Sequence, residues 1–199
     1  MSIAAVAPGF VDAVHDAQRV FRAVLGALAR PGRIARLDAA LVPPPPLYPT
    51  AGAILLALAD FETSIWLDDG LSDDPEVAEF LRFHTGARLA SSWREADFAL
   101  VTVPERMPAL ATFAQGTPEY PDRSTTIVIQ VEAMTNAGWE FFGPGIPDRV
   151  QFSAAPLPLD FQRQLAENRA RFPRGVDLLF ATAADIAALP RSARIVERA

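Results

Sequence analysis

The run Thr-Thr-Ile-Val-Ile-Gln-Val at residues 125–131 decides the fold. Its β-branched side chains suit a pleated strand and give the clearest strand signal in the chain. Strand-like and helix-like segments alternate on both sides of this run. The alternation predicts an α/β protein with a mixed sheet and helices on both faces of the sheet.

Further strands are predicted where short apolar runs are bounded by turn residues. They cover residues 33–37, 64–68, 98–103, 139–142, 176–181 and 193–196. The run at 139–142 is expected to pair with the central strand through the turn Asn136-Ala137-Gly138. No internal repeat or domain boundary interrupts the pattern, so residues 1–199 are expected to form a single domain.

The first long helix is predicted over residues 10–29 and is ended by Pro31-Gly32. Spacings of four and three residues give this helix an apolar face. The residues of that face are Phe10, Val14, Ala17, Phe21, Val24 and Leu28. A second helix, residues 51–59, is apolar on every side and should be buried, with Thr50 as its expected cap. Residues 43–46 are four prolines, expected to form a stiff surface connector.

Three more helices are predicted after these. Asp73, Asp74 and Pro75 form the start signal of one helix. The apolar face of that helix is expected to hold Val77, Phe80, Leu81 and His84. Residues 159–171 form the next helix. Thr182, with Asp185 three residues later, is expected to cap a short final helix.

The charge balance argues against one class of partner. The chain of 199 residues has 18 basic and 24 acidic side chains and a net charge of −6. Such a chain repels a nucleic-acid backbone, although one local cluster of arginines is enough to hold a small anion. The longest apolar run is too short to span a bilayer, and the N-terminus lacks the basic segment of a signal peptide. We therefore expect a cytoplasmic protein that binds neither nucleic acid nor membrane.

Two residue types are missing, and their absence limits the chemistry. All 18 basic residues are arginine, and there is no cysteine. Without lysine the chain cannot form a Schiff base with pyridoxal phosphate or supply a P-loop lysine. Without cysteine it has no thiolate nucleophile and no thiolate ligand for an iron–sulfur cluster. No cofactor and no metal site are expected, and only His15 and His84 can act as imidazole bases.

The segment at residues 81–86 carries the most suggestive chemistry. Arg82 can clamp phosphonate or phosphate oxygens, His84 can donate a hydrogen bond or carry a proton, and Thr85 completes this candidate anion-binding group. The alternative is structural, because His84 ends an apolar helix face and Gly86 is a helix stop.

A second candidate group lies on the polar side of the first helix. Asp16, Gln18 and Arg22 form an expected partner-facing or ligand-facing surface, although a solvated helix face explains the same residues. The acidic residues at 68, 69, 73, 74 and 76 do not match a metal-binding loop and are better explained by a turn and a helix start. Gly143-Pro144-Gly145 is better explained by a tight turn than by a dinucleotide-binding loop.

Ordered short runs along nearly the whole chain resemble one family. They are residues 16–22, Leu25, Ala27, Pro31-Gly32, 56–60, Trp66-Leu67, 81–85, Gly116-Thr117, 126–131, 143–146, 172–177 and Pro190-Arg191. In this succession they resemble the PhnH family, the H subunits of the bacterial carbon–phosphorus lyase complex. The four prolines before Tyr48 and the segment 120–123 depart from the family pattern.

The resemblance implies a fold similar to that of the pyridoxal-phosphate-dependent transferases, without their cofactor site. It implies a subunit that supports formation of α-D-ribose 1-alkylphosphonate 5-triphosphate from ATP and an alkylphosphonate. It also implies a homodimer in isolation and a complex with the G, I and J subunits. A separate iron–sulfur subunit breaks the carbon–phosphorus bond, which a cysteine-free chain cannot do. The resemblance identifies no catalytic residue.

Two other hypotheses stay open at this point. One is an anion-binding or nucleotide-binding enzyme that acts alone through Arg82 and His84. The other is a purely structural dimer module.

Overall fold

Helices and strands alternate along the protein, as the sequence pattern predicts. The computed structural model describes residues 6–72 and 75–196. The helices are α1 Ala13–Ala29, α2 Pro49–Leu58, α3 Asp69–Ser72, α4 Pro75–Thr85 and α5 Phe161–Ala170. The strands are β1 Ala35–Arg36, β2 Ser64–Leu67, β3 Arg88–Leu89, β4 Phe98–Val101, β5 Thr126–Gln130, β6 Ala133–Gly143, β7 Ile146–Ala155, β8 Asp177–Ala181, β9 Asp185–Leu189 and β10 Arg194–Ile195. None of the helices in these ranges combines the length and the apolar character that crossing a membrane requires.

The larger sheet confirms the predicted mixed topology. Within the described residues it has seven strands, in the order β1-β9-β8-β5-β4-β2-β3. Strands β3, β2, β4, β5 and β8 run parallel, whereas β9 is antiparallel to both of its neighbours. The run that predicts the fold forms β5, which lies in the middle of the sheet.

Both faces of this sheet are covered, but only one of them by helices alone, because strands β6 and β7 join α5 on the other face. In β5, Val128 belongs to the core beneath α1, α2 and α4, whereas Ile127 and Ile129 belong to the core on the opposite face. That second core also contains Phe161 of α5 and Phe152 of β7. Because successive strand residues point to opposite faces, an apolar strand needs cover on both sides.

The pairing predicted for residues 139–142 is wrong. These residues lie in β6, which pairs with β7 in a separate sheet of order β10-β6-β7. They cannot pair with β5, because β4 and β8 occupy both of its edges.

The tight turn predicted at Gly143-Pro144-Gly145 is confirmed and connects β6 to β7. Gly145 has a φ of 81° there, and an added Cβ would lie 2.2 Å from the carbonyl oxygen of Ala29.

The short helix predicted after Thr182 is also wrong, since this stretch forms β9. The Thr182 hydroxyl accepts hydrogen bonds from the backbone N–H groups of Ala184, at 3.3 Å, and Asp185, at 3.0 Å. It therefore closes the turn between β8 and β9. Ile186 packs on one face of the sheet and Ala187 on the other. Pairing with β8 outweighs the helix preference of the alanines.

Helix α1 ends where the sequence predicts, but its predicted apolar face is only partly confirmed, since Val24 is buried and Phe10 and Leu28 pack against the core. Val14 is 62% exposed and Phe21 is 50% exposed. The buried residues of α1 are Asp16, Val20, Val24 and Ala27, of which only Val24 belongs to the predicted face. The two sets have the same helical spacing and are rotated by about one residue, so only packing against α2 and β9 selects between them.

Helix α2 is buried as predicted, but Thr50 is not its cap. The Thr50 hydroxyl donates to the carbonyl oxygen of Thr182, and the helix begins at Pro49. The proline segment before α2 is not simply a surface connector, because Pro43 and Pro44 are buried.

The remaining helix predictions are confirmed. Helix α4 begins at Pro75 and buries Val77, Phe80 and Leu81, whereas its predicted start signals Asp73 and Asp74 lie outside the described residues. Helix α5 and strand β10 fall within the ranges predicted for them.

Candidate functional site

His84, in the first candidate group, holds the N-terminal segment against α4. Its Nε2 lies 2.8 Å from the carbonyl oxygen of Ala7, and its ring packs edge-on against Phe80 and Phe83 at centroid distances of 4.7 and 5.0 Å. A Cβ added to Gly9 would lie only 2.7 Å from the Nδ1 of the same ring. These contacts support the structural explanation of His84.

Thr85 and Arg82 have different surroundings. The Thr85 hydroxyl donates to the Leu81 carbonyl at 2.7 Å and accepts from the Ala87 N–H at 3.0 Å, and so it helps to end α4. Gly86, with a φ of 72°, is the helix stop that the sequence predicts. Arg82 is exposed and forms no ion pair with the residues that the structure describes. Its role as an anion ligand stays a prediction.

The second candidate group is divided by the structure. Asp16 is only 6% exposed, because it lies on the same face of α1 as Val20. One of its oxygens accepts from the Asp12 backbone N–H at 3.1 Å, and the other pairs with Arg19 at 2.8 Å. Asp16 thus belongs to the start of α1, and its predicted place on the exposed polar side of the helix is wrong, whereas the partner-facing or ligand-facing role of the group stays a prediction.

Gln18 and Arg22 are exposed. Arg22 lines a cavity of about 550 Å³ together with Arg30, Arg33 and Arg36. The sequence relates Arg22 to Gln18 through helical spacing and misses this group, because the other three arginines follow α1 in the chain.

A second cavity lies at the carboxyl ends of β2 and β4. The chain continues from β2 to β3 on one side and from β4 to β5 on the other, so these neighbouring strands lead in opposite directions. Open α/β sheets bind ligands at such a point. The cavity there has a volume of about 250 Å³, and its lining includes Trp66, Asp68, Trp93 and Arg106.

Asp68 fixes the shape of this cavity. Its carboxylate accepts hydrogen bonds from the Thr102 N–H at 2.7 Å, the Thr102 hydroxyl at 2.8 Å and the Val103 N–H at 2.9 Å. These bonds join the end of β2 to the end of β4. Because both of its oxygens already accept hydrogen bonds, Asp68 has a structural role and holds the two strand ends together.

Aromatic side chains form one wall of the same cavity. The rings of Trp66 and Trp93 meet edge to face at a centroid distance of 5.6 Å, and the Trp93 indole N–H donates to the Thr112 hydroxyl at 3.0 Å. Arg106 adds an exposed cation. The cavity is smaller than the roughly 300–1,000 Å³ usual for ligand pockets. It can take a small ligand against aromatic rings, with one arginine beside it.

The acidic residues near this cavity do not form a metal site within the part of the chain that the structure describes. Within residues 6–72 and 75–196, no group of three or more histidine and acidic side chains is placed to hold a metal ion. Asp73 and Asp74, two of the acidic residues noted in the sequence, lie outside these ranges.

Comparison with known proteins gives the family of the chain. The family model described as bacterial phosphonate metabolism protein (PhnH) matches residues 8–196. A protein of Rhizobium meliloti (strain 1021), named alpha-D-ribose 1-methylphosphonate 5-triphosphate synthase subunit PhnH, is 40% identical over 188 residues. That alignment covers 94% of this chain and 93% of the relative. The resemblance seen in the ordered runs is thereby confirmed, and the chain belongs to the PhnH family of bacterial phosphonate metabolism proteins.

Proposed function

We propose that this chain is a subunit of a complex that forms α-D-ribose 1-alkylphosphonate 5-triphosphate from ATP and an alkylphosphonate. In that reaction a phosphonate oxygen bonds to C1 of the ribose, the bond between C1 and adenine breaks, and adenine leaves with a proton. The observation that carries the proposal is the 40% identity to the Rhizobium meliloti synthase subunit over 94% of this chain.

Within the complex, the chain has a supporting role and depends on partners. The proposed partners are the G, I and J subunits, in the cytoplasm, and the chain forms a homodimer when it is alone. The support is chemical: the sequence has no lysine or cysteine nucleophile, and His84 and Asp68 are both engaged in structural contacts. The arginines of the two cavities can bind and orient an anion but are poor general bases.

Co-expression tests the partnership. The chain carries an affinity tag and is produced together with the G, I and J subunits, and the eluate is analysed by native mass spectrometry. We expect the four subunits to elute in a fixed stoichiometry. As a control, the tag is moved to the I subunit, and the same complex is expected. Four soluble subunits that elute separately in both arrangements would contradict the proposal.

We also propose that the fold is related to that of the pyridoxal-phosphate-dependent transferases and functions without their cofactor. The support for kinship is the mixed sheet, in which β9 runs against both neighbours. Covalently held pyridoxal phosphate does not fit this chain, because the sequence has no lysine to form the Schiff base. Superposition on transferase sheets tests the kinship. Titration with pyridoxal phosphate, followed by absorbance, should give no Schiff-base band stronger than that of a simple peptide α-amine.

A further inference from the structure

We propose that the cavity lined by Arg22, Arg30, Arg33 and Arg36, here called the arginine cavity, binds a triphosphate group. The identity of the ligand rests on the proposed function: it is the 5-triphosphate on ribose, which ATP and the ribose 1-alkylphosphonate product share. The site itself rests on the geometry and charge of this chain.

The arginine cavity concentrates positive charge on a chain whose net charge is −6. Its lining has four arginines and no acidic residue, the other members being Ala23, Gly26, Ala27, Ile34 and Ala35. Within residues 6–72 and 75–196, none of the four arginines forms an ion pair, even though Asp185 lies opposite Arg36 in the β1–β9 register. Guanidinium groups gathered around one concavity repel one another, and a bound polyanion relieves that repulsion.

The helix dipole accounts for only one of these arginines. Cations are favoured at the C-terminus of a helix, but the effect fades within the last turn. Arg30 directly follows α1 and fits this explanation. Arg22 lies about two turns before the helix end, whereas Arg33 and Arg36 lie after it, in the connection and in β1. The cluster as a whole therefore needs another reason.

Small residues of α1 line one side of the arginine cavity, here called its floor: Ala23, Gly26 and Ala27. A Cβ added to Gly26 would meet no atom within 4 Å, so the space above this glycine is empty. Glycine is less favourable than alanine inside a helix. Glycine at this lining position thus leaves the space open at a cost in helix stability.

Arginine suits a triphosphate better than it suits a single small anion in this setting. Each guanidinium can donate two parallel hydrogen bonds to phosphate oxygens, and it stays charged at every physiological pH. Three linked phosphates offer separate oxygens to several guanidinium groups at once. We therefore expect affinity to rise from phosphate to pyrophosphate to tripolyphosphate.

Calorimetric titration of the full chain with inorganic tripolyphosphate tests the site. We expect saturable binding that the double substitution Arg33→Gln/Arg36→Gln weakens by about tenfold or more. The matched control is Arg88→Gln/Arg174→Gln, which removes the same charge from two other exposed positions and should leave the affinity unchanged. Gly26→Met fills the floor and should also weaken binding, with an unchanged circular dichroism spectrum.

Three further ligands show which part of the molecule the site recognises. ATP and ribose 5-triphosphate should bind with similar affinity, and adenosine should not bind. Binding of ATP without binding of tripolyphosphate or ribose 5-triphosphate would overturn the proposal, because the base would then be the recognised group.

Other outcomes would also overturn the site. They are the absence of saturable tripolyphosphate binding at millimolar ligand, and equal weakening by the arginine-cavity and control substitutions. A third is loss of co-elution with G, I and J in Arg33→Gln/Arg36→Gln without any change in tripolyphosphate binding, which would assign the arginines to a partner. Tripolyphosphate binding without co-elution would instead contradict the proposed function and leave the site standing.

Discussion

At the scale of single residues, Asp12 makes the contribution of the start of α1 to stability depend on pH. Its carboxylate accepts from the His15 backbone N–H at 3.0 Å and lies 2.7 Å from His15 Nδ1. These bonds, the backbone one first, hold the pKa of Asp12 below the ordinary value of 3.8. A carboxyl with a lowered pKa stabilises the folded state above its ordinary pKa, and the contribution is lost as pH falls through the lowered value. We expect Asp12→Ala to lower the free energy of unfolding at neutral pH, with the deficit disappearing in acid.

Urea unfolding at a series of pH values measures this deficit. Asp12→Asn is the matched control, because asparagine keeps an oxygen that can cap the helix but does not titrate in this range. Its smaller deficit should reflect only the loss of the charge and should also fade in acid. A deficit of Asp12→Ala that persists undiminished in acid would show that the charge of Asp12 contributes nothing.

His84 allows the structural and the anion-binding hypotheses to be separated. Because its ring bonds to Ala7 and lies beneath Gly9, His84→Ala should loosen the N-terminal segment and lower the free energy of unfolding by about 1–3 kcal/mol. Hydrogen exchange of residues 6–10 should rise. The exposed neighbour provides a control, since Arg82→Ala should leave this exchange unchanged. Unchanged exchange in His84→Ala, together with lost phosphonate binding, would favour the anion-binding hypothesis.

The arginine cavity shows what residue types alone can and cannot predict about a site. Residues 17–37 contain five arginines and no acidic residue, which is a visible local excess of positive charge. The grouping of four of them around one space depends on the path after α1. There the N–H of Gly32 bonds to the Ala188 carbonyl at 2.9 Å and brings the chain toward β9. That long-range contact has no signature in the local sequence.

At the scale of elements, Gly26 gives a direct test of the stability of α1. Since no atom lies within 4 Å of an added Cβ, Gly26→Ala should raise the free energy of unfolding by about 0.5–1 kcal/mol through helix propensity. Gly70→Ala provides the contrast, because its Cβ would lie 2.5 Å from the Thr102 hydroxyl and should destabilise the protein. Urea unfolding of both variants measures the two effects. A loss of stability in Gly26→Ala would contradict the open floor of the cavity.

The sequence predicts best those elements whose own residues determine whether they form a strand or a helix. Strands β2, β4, β5 and β8 are buried apolar runs between turns, and all four were predicted in place. Strand β7 contains Pro147 and the adjacent charged residues Asp148 and Arg149, and β9 is rich in alanine, so neither has a strong strand pattern. Both exist because a neighbouring strand pairs with them. The buried face of α1 is only partly predicted for the same reason, because the elements packed against the helix determine which of its sides is buried.

At the scale of the whole molecule, aromatic rings join the smaller sheet to the larger one. Phe180 of β8 is fully buried, and its ring lies 5.3 Å from that of Phe152 in β7 and 6.3 Å from that of Phe161 in α5. Trp139 of β6 stacks on Phe161 at 6.2 Å. The second layer therefore shares its core with the large sheet, and the two sheets should unfold together.

Phe180→Ala tests this shared core. Removing a fully buried aromatic ring should lower the free energy of unfolding by about 3–5 kcal/mol, because it leaves a cavity between the sheets and α5. Phe83→Ala, at a ring that is 70% exposed, is the control and should cost much less. Tryptophan fluorescence and far-ultraviolet circular dichroism should give coincident unfolding curves for the unmodified protein and for both variants. Fluorescence and circular dichroism curves that do not coincide in the unmodified protein would mean that one part of the molecule unfolds before the rest, which a core shared through Phe180 does not permit.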